Sequence, residues 1–146
     1  RTTTYSRHLK VGGETHPKTL SNIVAGSWVY GDFSTWIGSK DKNLAWDLLC
    51  AAKLSYDSVM SKGKLSSSEQ AAAEKQLCSC ESSDWFWWFG DYNASNSVAS
   101  FDRLYRHNLT ELYRLLKLVP PANLSKPISL GSINTEVSGA MRRATD

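Results

Sequence analysis

An all-α fold is what this sequence predicts, on three observations. Apolar residues recur every three or four positions through three separate stretches, the spacing of a helix that buries one face. Ser66-Ser-Ser-Glu69 fits a capping box, in which the serine oxygen accepts from the third helical amide and the glutamate returns a bond to the serine amide. No alternating pattern of strand type runs for more than a few residues. The expected architecture is three main helices in an irregular bundle, with an aromatic-rich loop before them and a flexible C-terminal tail after them. The chain divides into an irregular lead-in over 1–26, a helical domain over 27–121 and a surface or disordered tail over 122–146.

The lead-in is polar and contains Gly12-Gly13 and Pro17, all of which break regular structure. Ser27 to Gly38, SWVYGDFSTWIG, is aromatic and interrupted by Gly31, and so reads as a loop or broken helix with its rings turned onto something. Behind Ser39, a plausible N-cap, Leu44, Leu48 and Ala52 and then Trp46, Leu49, Lys53 and Tyr56 recur at helical spacing to about Met60. Lys62-Gly63-Lys64 ends that helix, with glycine suited to a left-handed terminator and basic side chains to the negative helix end.

From the capping box the second helix is expected to run to about Trp88. That length places Ala73, Leu77, Cys80, Asp84 and Trp87 or Trp88 on one stripe. A carboxylate on an apolar stripe is costly without partners, so Asp84 is singled out. Asp91 to Ser97 is turn chemistry, and Ser97 can cap the third helix. There Val98, Phe101, Leu104, Tyr105, Leu109, Leu112, Leu115 and Leu116 face inward until Pro120-Pro121 stops the run.

With 146 residues, 41% of them hydrophobic, the chain suffices for one domain and one core. The net charge of +3 is spread along the chain, which argues against a nucleic-acid partner or a membrane surface. No apolar run reaches the roughly 20 residues that span a bilayer. The N-terminus lacks the apolar middle of a signal peptide, and the missing initiator methionine is compatible with a chain cut from something longer. Cys50, Cys78 and Cys80 are too few and too oddly spaced for a disulfide framework or a zinc site. Together these features predict a cytoplasmic protein without metal or cofactor. Sequons at Asn93, Asn108 and Asn123 would matter only in a secreted protein.

The run Trp85-Phe-Trp-Trp-Phe89 behind Asp84 carries two readings. In one, the rings point around a helix at about 100° per residue and wedge between helices as core. In the other, a sugar stacks its C–H face on an indole while a carboxylate accepts from its hydroxyl rim. The same logic applies to Trp28, Trp36 and Asp32, whereas Trp46 reads as core.

GSWVYGDFSTWIG with KNLAWDLL, and SSDWFWWFGD with FDRLYRHNLTELYRLL, resemble the C-terminal helical region of the family-57 glycoside hydrolases. These are retaining amylase, amylopullulanase and glucan-transfer or branching enzymes. The likeness covers about Gly26 to Pro121 and includes Ser83-Asp84-Trp85-Phe86-Trp87-Trp88, similar to that family's last motif. Phe89-Gly-Asp-Tyr92 departs from the family pattern, so no sugar contact is assigned to Tyr92.

The resemblance implies a missing upstream (β/α) barrel that supplies the nucleophile and the acid/base. Retaining hydrolysis needs two carboxyl groups about 5–5.5 Å apart, and none of the chain's six glutamates sits at a strand end. The implied role is therefore a substrate-cleft segment, inactive alone, that contacts an α-glucan or malto-oligosaccharide and the barrel of the parent enzyme. Substrate-binding residues would be Trp28, Asp32, Trp36, Asp84 and Trp85, with Asp84 bonding sugar hydroxyls or serving instead as a structural acid. A stand-alone carbohydrate-binding module and an aromatic interaction domain are the alternatives. Surface left bare without a barrel would favour self-association.

Overall fold

A computed structural model describes residues 2–11, 18–90 and 92–131, and over these the chain is all-α with no strand. The helices are α1 (Tyr5–Val11), α2 (Lys40–Ser61), α3 (Ser67–Cys80), α4 (Asp84–Trp88) and α5 (Ser95–Leu115), followed by a 3₁₀ turn over Ala122–Ser125. No helix among the described residues is long and apolar enough to cross a membrane.

The core lies where α3 and α2 pack on α5 and where α4 is inserted against them. Ala45, Leu49, Leu77, Phe86, Tyr105 and Leu112 are among its buried members. On α2 the buried face is Lys42, Ala45, Leu48, Leu49 and Ala52, so Leu44, expected inside, is instead exposed. Ser39 holds the N-cap position in extended backbone, yet its side chain makes no capping bond. Asn43 closes that end instead, donating to Gly38 O at 3.1 Å and accepting from Gly38 N at 2.9 Å. At the other end Gly63, with φ of +60°, donates to Met60 O and turns the chain away.

The capping box at α3 forms as its sequence predicts. Ser66 Oγ accepts from Glu69 N, and the Glu69 carboxylate accepts from Ser66 N at 2.7 Å. A bond from Lys117, then the bonds from Ser66, hold the Glu69 carboxyl down at about 2.

The long second helix does not form: α3 stops at Cys80 and α4 restarts at Asp84. Trp85 Nε1 donates to Ser79 O at 2.8 Å and Ser82 Oγ accepts from Asp84 N, so local side chains satisfy the broken ends. The break removes the stripe on which Asp84 was placed, and Asp84 stands exposed in the first turn of α4.

The third helix begins at Ser95, behind an Ala94 N-cap, rather than at Ser97. Leu104, expected inward, is exposed, while Asp102, read from the pattern as neither core nor site, is buried. Arg106 donates to Asp102 Oδ2 through Nε at 2.9 Å and Nη2 at 2.7 Å, and Ile128 N donates to Asp102 Oδ1 at 2.7 Å. The third Arg106 bond goes to Leu124 O at 3.0 Å. These bonds, with buried Leu124 and Ile128, dock the segment after Pro121 against α5, so the tail is packed structure as far as Gly131. Residues 132–146, expected to continue the tail, lie outside the described residues. The lead-in is likewise not irregular throughout: Tyr5–Val11 is helical, although it buries no residue.

Candidate functional site

The aromatic loop before α2 is built by short-range bonds. Tyr30 (φ 55°) and Gly31 (φ 73°) occupy the two central positions of a tight turn closed from Asp32 N to Val29 O at 3.5 Å. Consecutive left-handed residues mark a type I′ turn, in which glycine fits without cost and tyrosine fits at a cost of about 1–2 kcal/mol. A β-carbon on Gly26 would lie 2.2 Å from Gly31 O, so the strand of chain entering the loop has no room for a side chain. Ser27 brackets the same turn, donating to Val29 O and accepting from Val29 N.

Asp32 is drawn into the loop itself. Its Oδ1 accepts from Ser34 N at 3.0 Å and from Ser34 Oγ at 2.6 Å, an Asx-type turn. The loop then bends over Phe33 O, which accepts from the amides of Trp36 and Ile37. Trp46, on α2, donates its indole N–H to Trp36 O at 3.0 Å and stacks on Phe86 with centroids 3.9 Å apart.

Beneath the loop sits a buried lysine. Lys42 Nζ donates to Thr35 O at 2.6 Å and to Phe86 O at 2.5 Å, and also to the Tyr92 hydroxyl. One ammonium therefore ties together the aromatic loop, α4 and the turn before α5. Loss of hydration lowers its pKa to about 7, with the Asp41 charge acting weakly the other way. The two carbonyls can only accept, which also favours the protonated form over the free amine. Burial is the larger effect, and the pKa stays well below that of an exposed lysine. Tyr92 in turn donates to Trp87 O at 3.2 Å, and Asn93, fully buried, donates to Trp87 O and Trp88 O, each at 3.1 Å. Every carbonyl from Phe86 to Trp88 is thus met by a side chain.

The five sequence-predicted site residues separate under this geometry. Trp28 is 77% exposed at the start of the type I′ turn. Trp36 is half-buried with its ring 6.2 Å from that of Trp87. Asp32 is half-buried and tied to Ser34. Trp85 is half-buried with its indole N–H taken by Ser79 and its ring against Phe101 and Tyr105, the environment of a packing residue. Asp84 is exposed next to it, on the far side of the α3 break.

Sequence reasoning missed two exposed rings on the loop, Tyr30 and Phe33, and missed the lysine that supports them. A signal for Lys42 was present: it lies three residues before Ala45 and seven before Leu49, on the apolar stripe of α2. Trp88 stacks on Phe101 at 4.4 Å, which accounts for another indole of the aromatic run within the fold itself.

Several of the described carboxylates hold structure. Besides Asp102 and Glu69, Asp57 pairs with Lys53 at 2.6 Å and Glu111 pairs with Arg114. No group of three or more His, Cys, Asp or Glu among the described residues could hold a metal ion. Burial pushes the Cys80 thiol up to about 12, which keeps it protonated and unreactive. No family model, curated protein or solved structure matches the chain.

Proposed function

We propose that this chain is the helical, substrate-cleft segment of a retaining α-glucan-active glycoside hydrolase of the family-57 type. Three long helices, α2, α3 and α5, serve as an irregular bundle that presents aromatic rings to a sugar chain held by carboxyl groups elsewhere. The observation that carries the reading is the exposure of Trp28 on a loop fixed from below. Leaving about three-quarters of an indole in water forgoes a large burial gain, while the loop bearing it is locked by a type I′ turn, an Asx turn and the Lys42 bonds. With the backbone already held in place, only the torsions of the ring itself remain to be ordered when a pyranose stacks on it.

Within this reading the roles of the candidates differ. Trp28 is the stacking platform, with Trp36 beside it as a partly covered second ring. Asp84 is a water-facing acceptor for sugar hydroxyls, and Trp85 holds α4 in place beneath it. Asp32 shapes the loop. The partners are a malto-oligosaccharide and the barrel of the parent enzyme, and the chain by itself carries out no hydrolysis.

Titration of the chain with maltoheptaose, followed by tryptophan fluorescence, tests this. Saturable quenching is expected, reduced at least about tenfold by Trp28→Ala, a loss of 1.4 kcal/mol or more. Trp28→Ala should leave the melting temperature within a few degrees of the parent, since the ring is exposed. A flat titration with folded protein, or quenching that survives Trp28→Ala unchanged, overturns the assignment.

The same loop also exposes Tyr30, Phe33 and Ile37, and this favours a second reading in which the rings dock another polypeptide. Concentration-dependent elution in size-exclusion chromatography, abolished by Phe33→Ser and insensitive to maltoheptaose, would select it.

A further inference from the structure

The C-terminal ends of α2 and α5 meet around a cleft of about 260 Å³ that neither the aromatic loop nor α4 touches. Its floor is apolar, formed by Val59, Leu65, Leu116 and Leu118, and Lys62, Lys64 and Lys117 stand on its rim. Among the described residues Lys117 pairs with Glu69 at 2.7 Å, so three positive charges and that one negative charge leave two net positive charges around an apolar floor. Within the cleft Leu118 is 39% exposed, and Val119 beside it is 90% exposed. Lys117 takes a left-handed conformation, φ 59°, which turns the chain at the end of α5 just before these two residues.

We propose that this cleft docks an acidic segment of a partner polypeptide by taking one large apolar side chain between the lysines. Size decides the class of occupant: the cleft is smaller than the roughly 300–1,000 Å³ usual for small-molecule sites, and suits a single leucine- or phenylalanine-sized group. Charge decides its surroundings. Carboxylates flanking the anchor meet Lys62 and Lys64, whose long stems cover apolar surface while their ammonium groups reach outward. The site is independent of the glucan reading, since none of its residues lies in the aromatic loop.

The test uses the whole chain, isotope-labelled for NMR, titrated with a capped pentapeptide that has one phenylalanine between two pairs of glutamates. Saturable shifts at Leu65, Leu116 and Leu118 are expected, weakening as salt rises. A peptide with alanine in place of phenylalanine, and one with lysines in place of the glutamates, should each bind at least about tenfold more weakly. The double variant Lys62→Glu with Lys64→Glu, and separately Leu118→Asp, should do the same; both alter exposed side chains and leave the core intact. Equal binding of the alanine peptide, or shifts confined to other residues, overturns the proposal. Binding to phosphatidylserine vesicles without any response to the glutamate peptide overturns it in favour of a lipid surface.

Discussion

Lys42 carries its charge at a site where desolvation opposes it, and that fixes how the fold responds to pH. In the unfolded chain the group titrates near 10.5, and in the fold near 7. Between these values the unfolded state binds more protons, so stability contributed at this residue rises as pH increases from about 7 toward 10.5. Below pH 7 both states are protonated and the burial cost is carried in full. The stability of the parent relative to Lys42→Met should therefore improve on going from pH 7 to pH 10, measured by urea denaturation at each pH. Parallel profiles for the two proteins would show that Lys42 titrates in the fold as it does in water. Gly26 makes a second prediction at this scale. Gly26→Ala forces a methyl onto Gly31 O and should cost about 2–3 kcal/mol, whereas Gly63→Ala, left-handed but with open space around it, should cost about 1–2 kcal/mol. Denaturation midpoints of the two variants decide the ranking.

Among the elements, the segment after Pro121 is tied to α5 through one buried carboxylate. Asp102 receives Arg106 on one oxygen and the Ile128 amide on the other, and Arg106 reaches on to Leu124 O. Asp102→Ala removes all three bonds to that carboxylate and leaves a guanidinium with little water around it, a change expected to cost about 3–5 kcal/mol. Hydrogen exchange at the Ile128 amide should rise to the rate of a free loop while exchange in α3 rises less. Asp102→Asn keeps an acceptor for Ile128 and should fall between the two. The boundaries of the elements were legible where local chemistry sets them: the Ser66–Glu69 box begins α3 and Gly63 ends α2. They were not legible where distant groups set them. Helical spacing continues smoothly from Leu77 to Trp88, and nothing in that spacing reveals that the Trp85 indole would turn back to Ser79 and end α3 early. Periodicity does place Asp102 on the buried stripe, four residues after Val98 and three before Tyr105, but it does not reveal the Ile128 amide, 26 residues further on, that meets it there.

For the molecule as a whole, the sequence conveyed the all-α class and much of the core, including Ala73, Leu77, Tyr105 and Leu112. The candidate site was only half legible. Trp28 and Trp36 lie on the loop that the sequence marks, but Asp84 and Trp85, which looked like one functional pair, occupy different environments because α4 is its own element. Aromatic content alone does not tell a packing ring from a displayed one. That distinction came from partners elsewhere, Phe101 for Trp88 and Phe86 for Trp46, whereas Trp28 is left 77% exposed.

The position of Asn93 governs how the protein can be produced. Both amide hydrogens of that side chain are spent on the Trp87 and Trp88 carbonyls in a space with no solvent access, although Asn93-Ala-Ser95 has the form of an oligosaccharide acceptor. A host that decorates this asparagine during translation would yield chains unable to close around α4. Yield from a eukaryotic secretory route should consequently be poor and should recover with Ser95→Ala, a substitution that abolishes the acceptor and keeps the asparagine.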